Sequence, residues 1–180
     1  KDRARLEKIK QKIAVHLGDS IYAYDRTSLE ECVVRQLARR GQTIALAEAA
    51  TGGSLAAALS AADGADRVLA GAYTAPTEEI LSRLLADSRS GKPATDAATT
   101  EQLADAAADA AKSDLAVAVG QARQNDSGAS YVDVAFKVPD GTKSRQLPLQ
   151  GTAQSARARL VTQLLDDLRR RLASQPTGIP

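Results

Sequence analysis

The sequence predicts an α/β domain, three-layered or built on a mixed sheet, with one further helix ahead of it. Three observations carry this reading. Short apolar runs of strand length alternate with runs of helix length, a glycine pair (Gly52-Gly53) joins one strand directly to a helix, and Pro139-Asp140-Gly141 separates the last two strands as a hairpin turn.

The elements follow in order. Leu6, Ile9, Ile13 and Leu17 recur at helical spacing, so residues 2–17 read as an amphipathic helix ended by Gly18 and expected to pack on something. Thr27 or Ser28 caps the next helix, which has Glu30 and Glu31 in its first turn and Leu29, Val33, Val34 and Leu37 on one face. It stops at Arg39, Arg40 and Gly41. Cys32 falls near that buried face, where a thiol behaves as a small hydrophobe. Thr43 to Glu48 is a strand that runs through Ala49, Ala50 and Thr51 into the glycine pair, and an alanine-rich helix, Ser54 to Ala62, follows at once. Val68 to Tyr73 is a strand, Thr77 to Leu85 and Thr99 to Lys112 are helices, and Leu115 to Val119 is an apolar strand of the buried kind. Tyr131 to Val138 and Ser144 to Leu149 form the hairpin, and a last helix runs from about Gln154 to Ala173. Arg89 to Ala98 and Arg123 to Ala129 are polar loops expected to rim a pocket.

Composition limits the function. The 180 residues suffice for one full domain, and at 43% hydrophobic and 26% charged residues the composition is that of a globular protein with no apolar run of membrane-spanning length. The start has no secretory pattern, so the expected location is the cytoplasm. The chain contains no methionine, which reads as a fragment or a processed product. One cysteine, Cys32, and one histidine, His16, rule out an internal disulfide and a Cys/His zinc site, and no cofactor is called for. A serine-histidine-aspartate triad would depend on His16, which lies in a basic helical stretch far along the chain from the glycine turn. Lys1, Arg3, Arg5, Lys8, Lys10 and Lys12 face only Asp2 and Glu7, but no aromatics are interleaved. The run therefore reads as a solvated helix face and interdomain connector rather than a nucleic-acid arm.

Chemistry concentrates at Glu48-Ala49-Ala50-Thr51-Gly52-Gly53. Glycines at a strand-to-helix turn let backbone N–H groups approach a ligand, although ordinary α/β proteins turn corners in the same way. Thr51 reads as a helix N-cap ahead of a nucleophile, the Ser54 hydroxyl as bonded to backbone or solvent, and Glu48 as either a ligand for a ribose hydroxyl or a support for the turn.

From about residue 27 to residue 173 the chain resembles the CinA C-terminal domain, a family that includes nicotinamide mononucleotide deamidases. The family turn reads Ala-Glu-Ser-x-Thr-Gly-Gly. Glu48, Thr51, Gly52 and Gly53 match it, and Ala49 stands at the position of the nucleophilic serine. Asp63-Gly64-Ala65 matches a following Pro-Gly-Ala turn approximately. The block Gly-x-x-x-Tyr-Ser-Asn-x-x-Lys falls on residues 71–80, where Ala75 replaces the tyrosine, Pro76 the serine, Thr77 the asparagine and Ile80 the lysine. The family's Thr-Gly-x-x-Gly-Pro loop becomes Gly120 to Asn125, and Arg157 stands where the family keeps a basic residue after a glycine, here Gly151. Leu17 to Tyr22 looks like the segment leading into this domain in two-domain members, whose first domain resembles molybdopterin-binding proteins.

The resemblance implies residues 1–26 as the end of a preceding domain and linker, a CinA C-terminal-like domain over 27–175, and a tail over 176–180. It implies a ligand site at Glu48, Thr51, Gly52, Gly53 and Arg157. The degenerate positions Ala49, Ala75, Thr77 and Ile80 leave no nucleophile and no base for an amide hydrolase. The expected role is scaffolding, assembly or regulation of a neighbouring domain, with a second copy or an N-terminal molybdopterin-binding-like domain as partner. The alternatives are a nucleotide amidohydrolase with a rearranged site and a nucleotide-binding module without turnover.

Overall fold

The computed structural model describes residues 25–89, 99–151 and 153–174, with residue 23 and short pieces of helix within residues 3–12. Five strands form one mixed sheet between two layers of helices, so both forms of the expected architecture hold together.

Helix α1 (Leu29–Arg40) begins at Ser28, whose Oγ accepts from the Glu31 N–H at 3.2 Å while the Glu31 carboxylate accepts from the Ser28 N–H at 3.4 Å. It ends at Gly41 in the left-handed conformation, φ +60°. Strand β1 (Ile44–Glu48) is buried at every residue. Helix α2 (Ser54–Ser60) and a 3-10 turn (Ala65–Arg67) lead to strand β2 (Leu69–Thr74). Helix α3 (Glu78–Arg89) is capped by Thr77, whose Oγ1 accepts from the Ile80 N–H at 3.3 Å. Helix α4 (Thr100–Ala111) opens on a reciprocal pair between Thr99 and Gln102. Strands β3 (Leu115–Gln124), β4 (Ser130–Val138) and β5 (Gly141–Pro148) precede the long helix α5 (Ala153–Ser174).

The strand order is β2-β1-β3-β4-β5, with β1 parallel to both its neighbours and β3, β4 and β5 antiparallel in turn. Side chains alternate across a strand, and here the alternation also sorts them by size. Ile44, Leu46, Leu115, Val117, Val119, Val132, Val134 and Phe136 meet α1, α2 and α5 on one face, whereas Ala45, Ala47, Ala116, Ala118 and Ala135 meet α3 and α4 on the other. The alanine richness of α4, an expression of helix propensity in the sequence, thus also serves packing: Ala104, Ala107 and Ala108 are buried against the alanine face.

Two expectations need correction. Residues 120–124 belong to β3 and not to a loop, because β4 extends past the end of β1 and pairs with them at Ala122↔Val132, Arg123↔Tyr131 and Gln124↔Ser130, after an irregularity between Val119 and Ala122. Ala122, Arg123 and Gln124 are exposed, so the strand there has no buried face for the sequence to reveal. The N-terminal helix is described only in pieces; there Leu6 is 53% and Ile9 47% exposed, so neither packs as expected, and Ile13, Leu17 and Gly18 lie outside the described residues. The polar stretch 90–98 also lies outside them.

Cys32 is half-buried on α1, and burial pushes its thiol pKa above the usual value despite the opposing charges of Arg35 and Arg169. Two predictions follow from this packing. Ala104→Leu, which adds three carbons where helix and sheet meet through alanine, should destabilise the fold by about 1–3 kcal/mol in a urea melt. Cys32 should alkylate more slowly at pH 8 than a free cysteine peptide, with its rate still rising where that of the peptide has levelled off.

Candidate functional site

The connection from β1 through α2 to β2 crosses one face of the sheet, and the connection from β2 through α3 and α4 to β3 crosses the other. The strand order therefore reverses at the C-terminal end of β1, where sheets of this kind open a crevice. Glu48 to Gly53 leave β1 at this point. The Ala49 N–H donates to the Val119 carbonyl at 2.9 Å and the Ala50 N–H to the Gly120 carbonyl at 3.1 Å, so the chain stays bound to β3 past the last strand residue. Gly52 (φ +58°) and Gly53 (φ +85°) then turn it into α2 through backbone angles that a side chain would resist.

The structure decides between the two readings of Glu48. Its side chain is fully buried, and its two oxygens accept from the Leu55 N–H at 3.0 Å and the Ala56 N–H at 2.8 Å. Gly53, the residue at the N-cap of α2, has no side chain to do this. Glu48 thus supports the turn by satisfying N–H groups that would otherwise be orphaned at the helix start. Thr51 is not the N-cap that the sequence suggested. It lies two residues too early, offers only its carbonyl to the Ser54 N–H (3.1 Å), and has a fully buried Oγ1 without a hydrogen-bond partner.

Arg157, exposed on α5, reaches this turn: its guanidinium carbon is 3.7 Å from where a Cβ on Gly52 would stand, and it has no acidic partner among the described residues. Thr74 Oγ1 lies 3.5 Å from the corresponding point on Gly53. Ala49 is 8% and Ala75 4% exposed, and the Ala75 N–H donates to the Glu48 carbonyl at 3.1 Å. Glu48, Ala49, Thr51, Gly52, Gly53, Ala75 and Arg157 therefore come together. Thr77 and Ile80 serve α3 instead, the first as its cap and the second, half-buried, against the alanine-lined layer.

A second group, largely missed in the sequence, lies beyond Gly120. A cleft of about 510 Å³ is bordered by Glu78, Thr100, Glu101, Arg123, Asp133 and Arg145. The Glu78 side chain is 5% exposed. Its Oε1 accepts from the Gln121 N–H at 3.2 Å, and its Oε2 is held in a close ion pair by Arg123, whose other guanidinium nitrogen is 3.4 Å from Asp133 Oδ2. A Cβ on Gly120 would stand 2.3 Å from Glu78 Oε1, so the glycine makes room for the carboxylate. Arg145 pairs with Asp167, and burial pulls its guanidinium pKa below the usual value. Asp133 could have been found as the charge opposite Val132 and Val134 in a strand that alternates. Glu78 could not, because an acid in a first helical turn is ordinary. Among the described residues no cluster of His, Cys, Asp and Glu is arranged to hold a metal, and no helix is long and apolar enough to cross a membrane.

The crowding at Gly120 is testable as a cycle. Gly120→Ala should destabilise by about 1–3 kcal/mol in the native background and by distinctly less once Glu78→Ala has vacated the space. Equal losses in the two backgrounds, read from urea melts, would contradict the contact.

Comparison with known proteins agrees with this geometry. The family model for the CinA C-terminal domain matches residues 26–172. A protein of Caldanaerobacter subterraneus subsp. tengcongensis described as competence-damage inducible is 30% identical over 177 residues, covering 93% of this chain and 42% of that protein. A CinA-like protein of Frankia casuarinae is 31% identical over 170 residues, covering 90% and 39% respectively. The chain thus spans about two fifths of the length of these curated relatives. The crystal structure of competence damage-inducible protein A from Klebsiella pneumoniae subsp. pneumoniae MGH 78578 superposes with a TM-score of 0.69 at 25% identity, over 82% of this chain and 97% of that one. With its strand-to-helix turn, its sheet and nearly all of its described length accounted for in this way, the chain belongs to the CinA family, as a CinA C-terminal domain.

Proposed function

We propose that this domain no longer hydrolyses an amide and persists in a scaffolding, assembly or regulatory role toward a neighbouring domain or a second copy. The observation that carries the reading is Ala49: a buried methyl group stands where the resemblance implies the nucleophile. The hydroxyls closest to it in the chain or at the turn are poorly suited to replace that group: Thr51 Oγ1 is fully buried without a hydrogen-bond partner, Thr74 lies beside Gly53 on the exposed end of β2, and Thr77 Oγ1 is engaged by the Ile80 N–H. Ile80, at the position that the resemblance gives to the lysine, packs into the alanine-lined layer and offers no proton acceptor. Loss of one member of such a unit costs on the order of 10⁴ to 10⁶ in rate.

A second reading, nucleotide binding without turnover, is favoured by Arg157 over Gly52 and by the unpartnered Thr51 hydroxyl beside it. In this reading Thr51, Gly52, Gly53 and Arg157 form the ligand site, and Glu48 holds the turn that presents it.

The expected outcome of incubation with nicotinamide mononucleotide is ammonia release no greater than that of a boiled control, both for the native chain and for Ala49→Ser, which should fold normally yet remain inactive because a serine without a base stays protonated. Robust native turnover would overturn the silent reading. Calorimetry with the same nucleotide separates the two readings: heat that Arg157→Ala abolishes assigns binding without turnover, and its absence supports the structural role.

A further inference from the structure

Among the described residues the large apolar side chains most open to solvent are Leu6, Ile9 and Leu84, and the first two stand three residues apart in helical backbone ahead of the domain. At 3.6 residues per turn they share one side of that helix. Arg5, Lys8 and Lys12, also helical, fall along one flank of the apolar side and Arg3 along the other, while Glu7 is turned away from it. All of these residues are exposed. In the sequence Ile13 continues the apolar spacing, and Lys1 and Lys10 add two cations against Asp2 alone.

The pattern of charge says what kind of surface meets the stripe. A narrow aliphatic stripe with cations on both flanks fits a plane that is apolar beneath and anionic on top: the aliphatic groups enter to a shallow depth, and the arginine and lysine stems lie along them and carry their charges back to the headgroups. A nucleic-acid backbone would use the cations and leave Leu6 and Ile9 in water. A groove in a protein would need carboxylates along both of its rims to match the same pattern. We propose that this segment is an interfacial helix that docks the chain on an anionic lipid surface, lying in the plane of the headgroups without crossing the bilayer. The proposal does not depend on whether the domain turns over substrate or binds a nucleotide.

The experiment measures co-sedimentation of the 180-residue chain with vesicles of phosphatidylcholine alone and of phosphatidylcholine with about one quarter phosphatidylglycerol. The native chain should bind the anionic vesicles, gain helical far-UV circular dichroism as it does so, and bind the neutral ones on the order of 10-fold less. Lys8→Gln/Lys12→Gln should weaken binding ~30-fold, at about one surface charge per residue, and Leu6→Ser/Ile9→Ser on the order of 10-fold. Both variants should keep the native Tm in lipid-free buffer, because the side chains replaced are exposed. No binding to anionic vesicles, or binding that Leu6→Ser/Ile9→Ser leaves unchanged, would overturn the proposal. So would a chain that ignores the vesicles yet binds poly-glutamate through these same residues, which would assign the stripe to an acidic protein.

Discussion

Leu46 and Ala47 are neighbours on β1, yet they face layers built to different scales. Bulky aliphatic groups of the sheet fill the space toward α1, α2 and α5, whereas toward α3 and α4 the sheet presents only alanines. Because protein interiors pack without gaps, the small face must be filled from the helices: α4 lies against it through Ala104, Ala107 and Ala108, while Leu81, Leu85 and Leu103 take up the remaining space. The rest of the arrangement depends on this inequality. With two helices committed to the small face and three to the large one, the connections out of β1 and out of β2 must cross on opposite sides, and the reversal of strand order at Glu48 follows.

That reversal explains why the turn keeps its shape with an alanine at residue 49. The turn is built by backbone angles at two glycines and by one buried carboxylate, Glu48, which caps a helix that begins on a glycine. None of these depends on the side chain at residue 49. The signature that marks the family in the sequence is therefore, in this chain, a folding device first. A short helix whose N-cap residue has no side chain needs it whether or not a nucleophile stands beside it.

Legibility in the sequence followed the physics of each element. Helices α1 and α4 were marked by caps and periodicity, and both have the reciprocal capping pairs that Ser28 and Thr99 announce. The strands β1 and β3 were marked by apolar runs, but β3 was legible only as far as Val119, because Ala122 to Gln124 gain their partners from β4 without burying a face. The candidate turn was visible through its glycines. Thr51 misled because capping residues are recognised by type and spacing, and α2 starts two residues later than that spacing suggested. Glu78 and Arg123 were silent because they are 45 residues apart in sequence, and nothing local distinguishes an acid that pairs across the fold from one that merely eases a helix dipole.

Gly120 carries a lesson of a different kind. It sits in a strand, and a glycine there invites an explanation from backbone freedom, but its φ does not lie in the left-handed region and the restriction is one of volume, imposed by a carboxylate from another element. A side chain at 120 would have to push aside the end of the Glu78 side chain, and without that acid it would still meet Thr100 Oγ1 at 3.1 Å and the Asp133 carbonyl at 3.2 Å. Three elements, α3, α4 and β4, thus converge on one missing methyl group, and no single replacement around it would free the position.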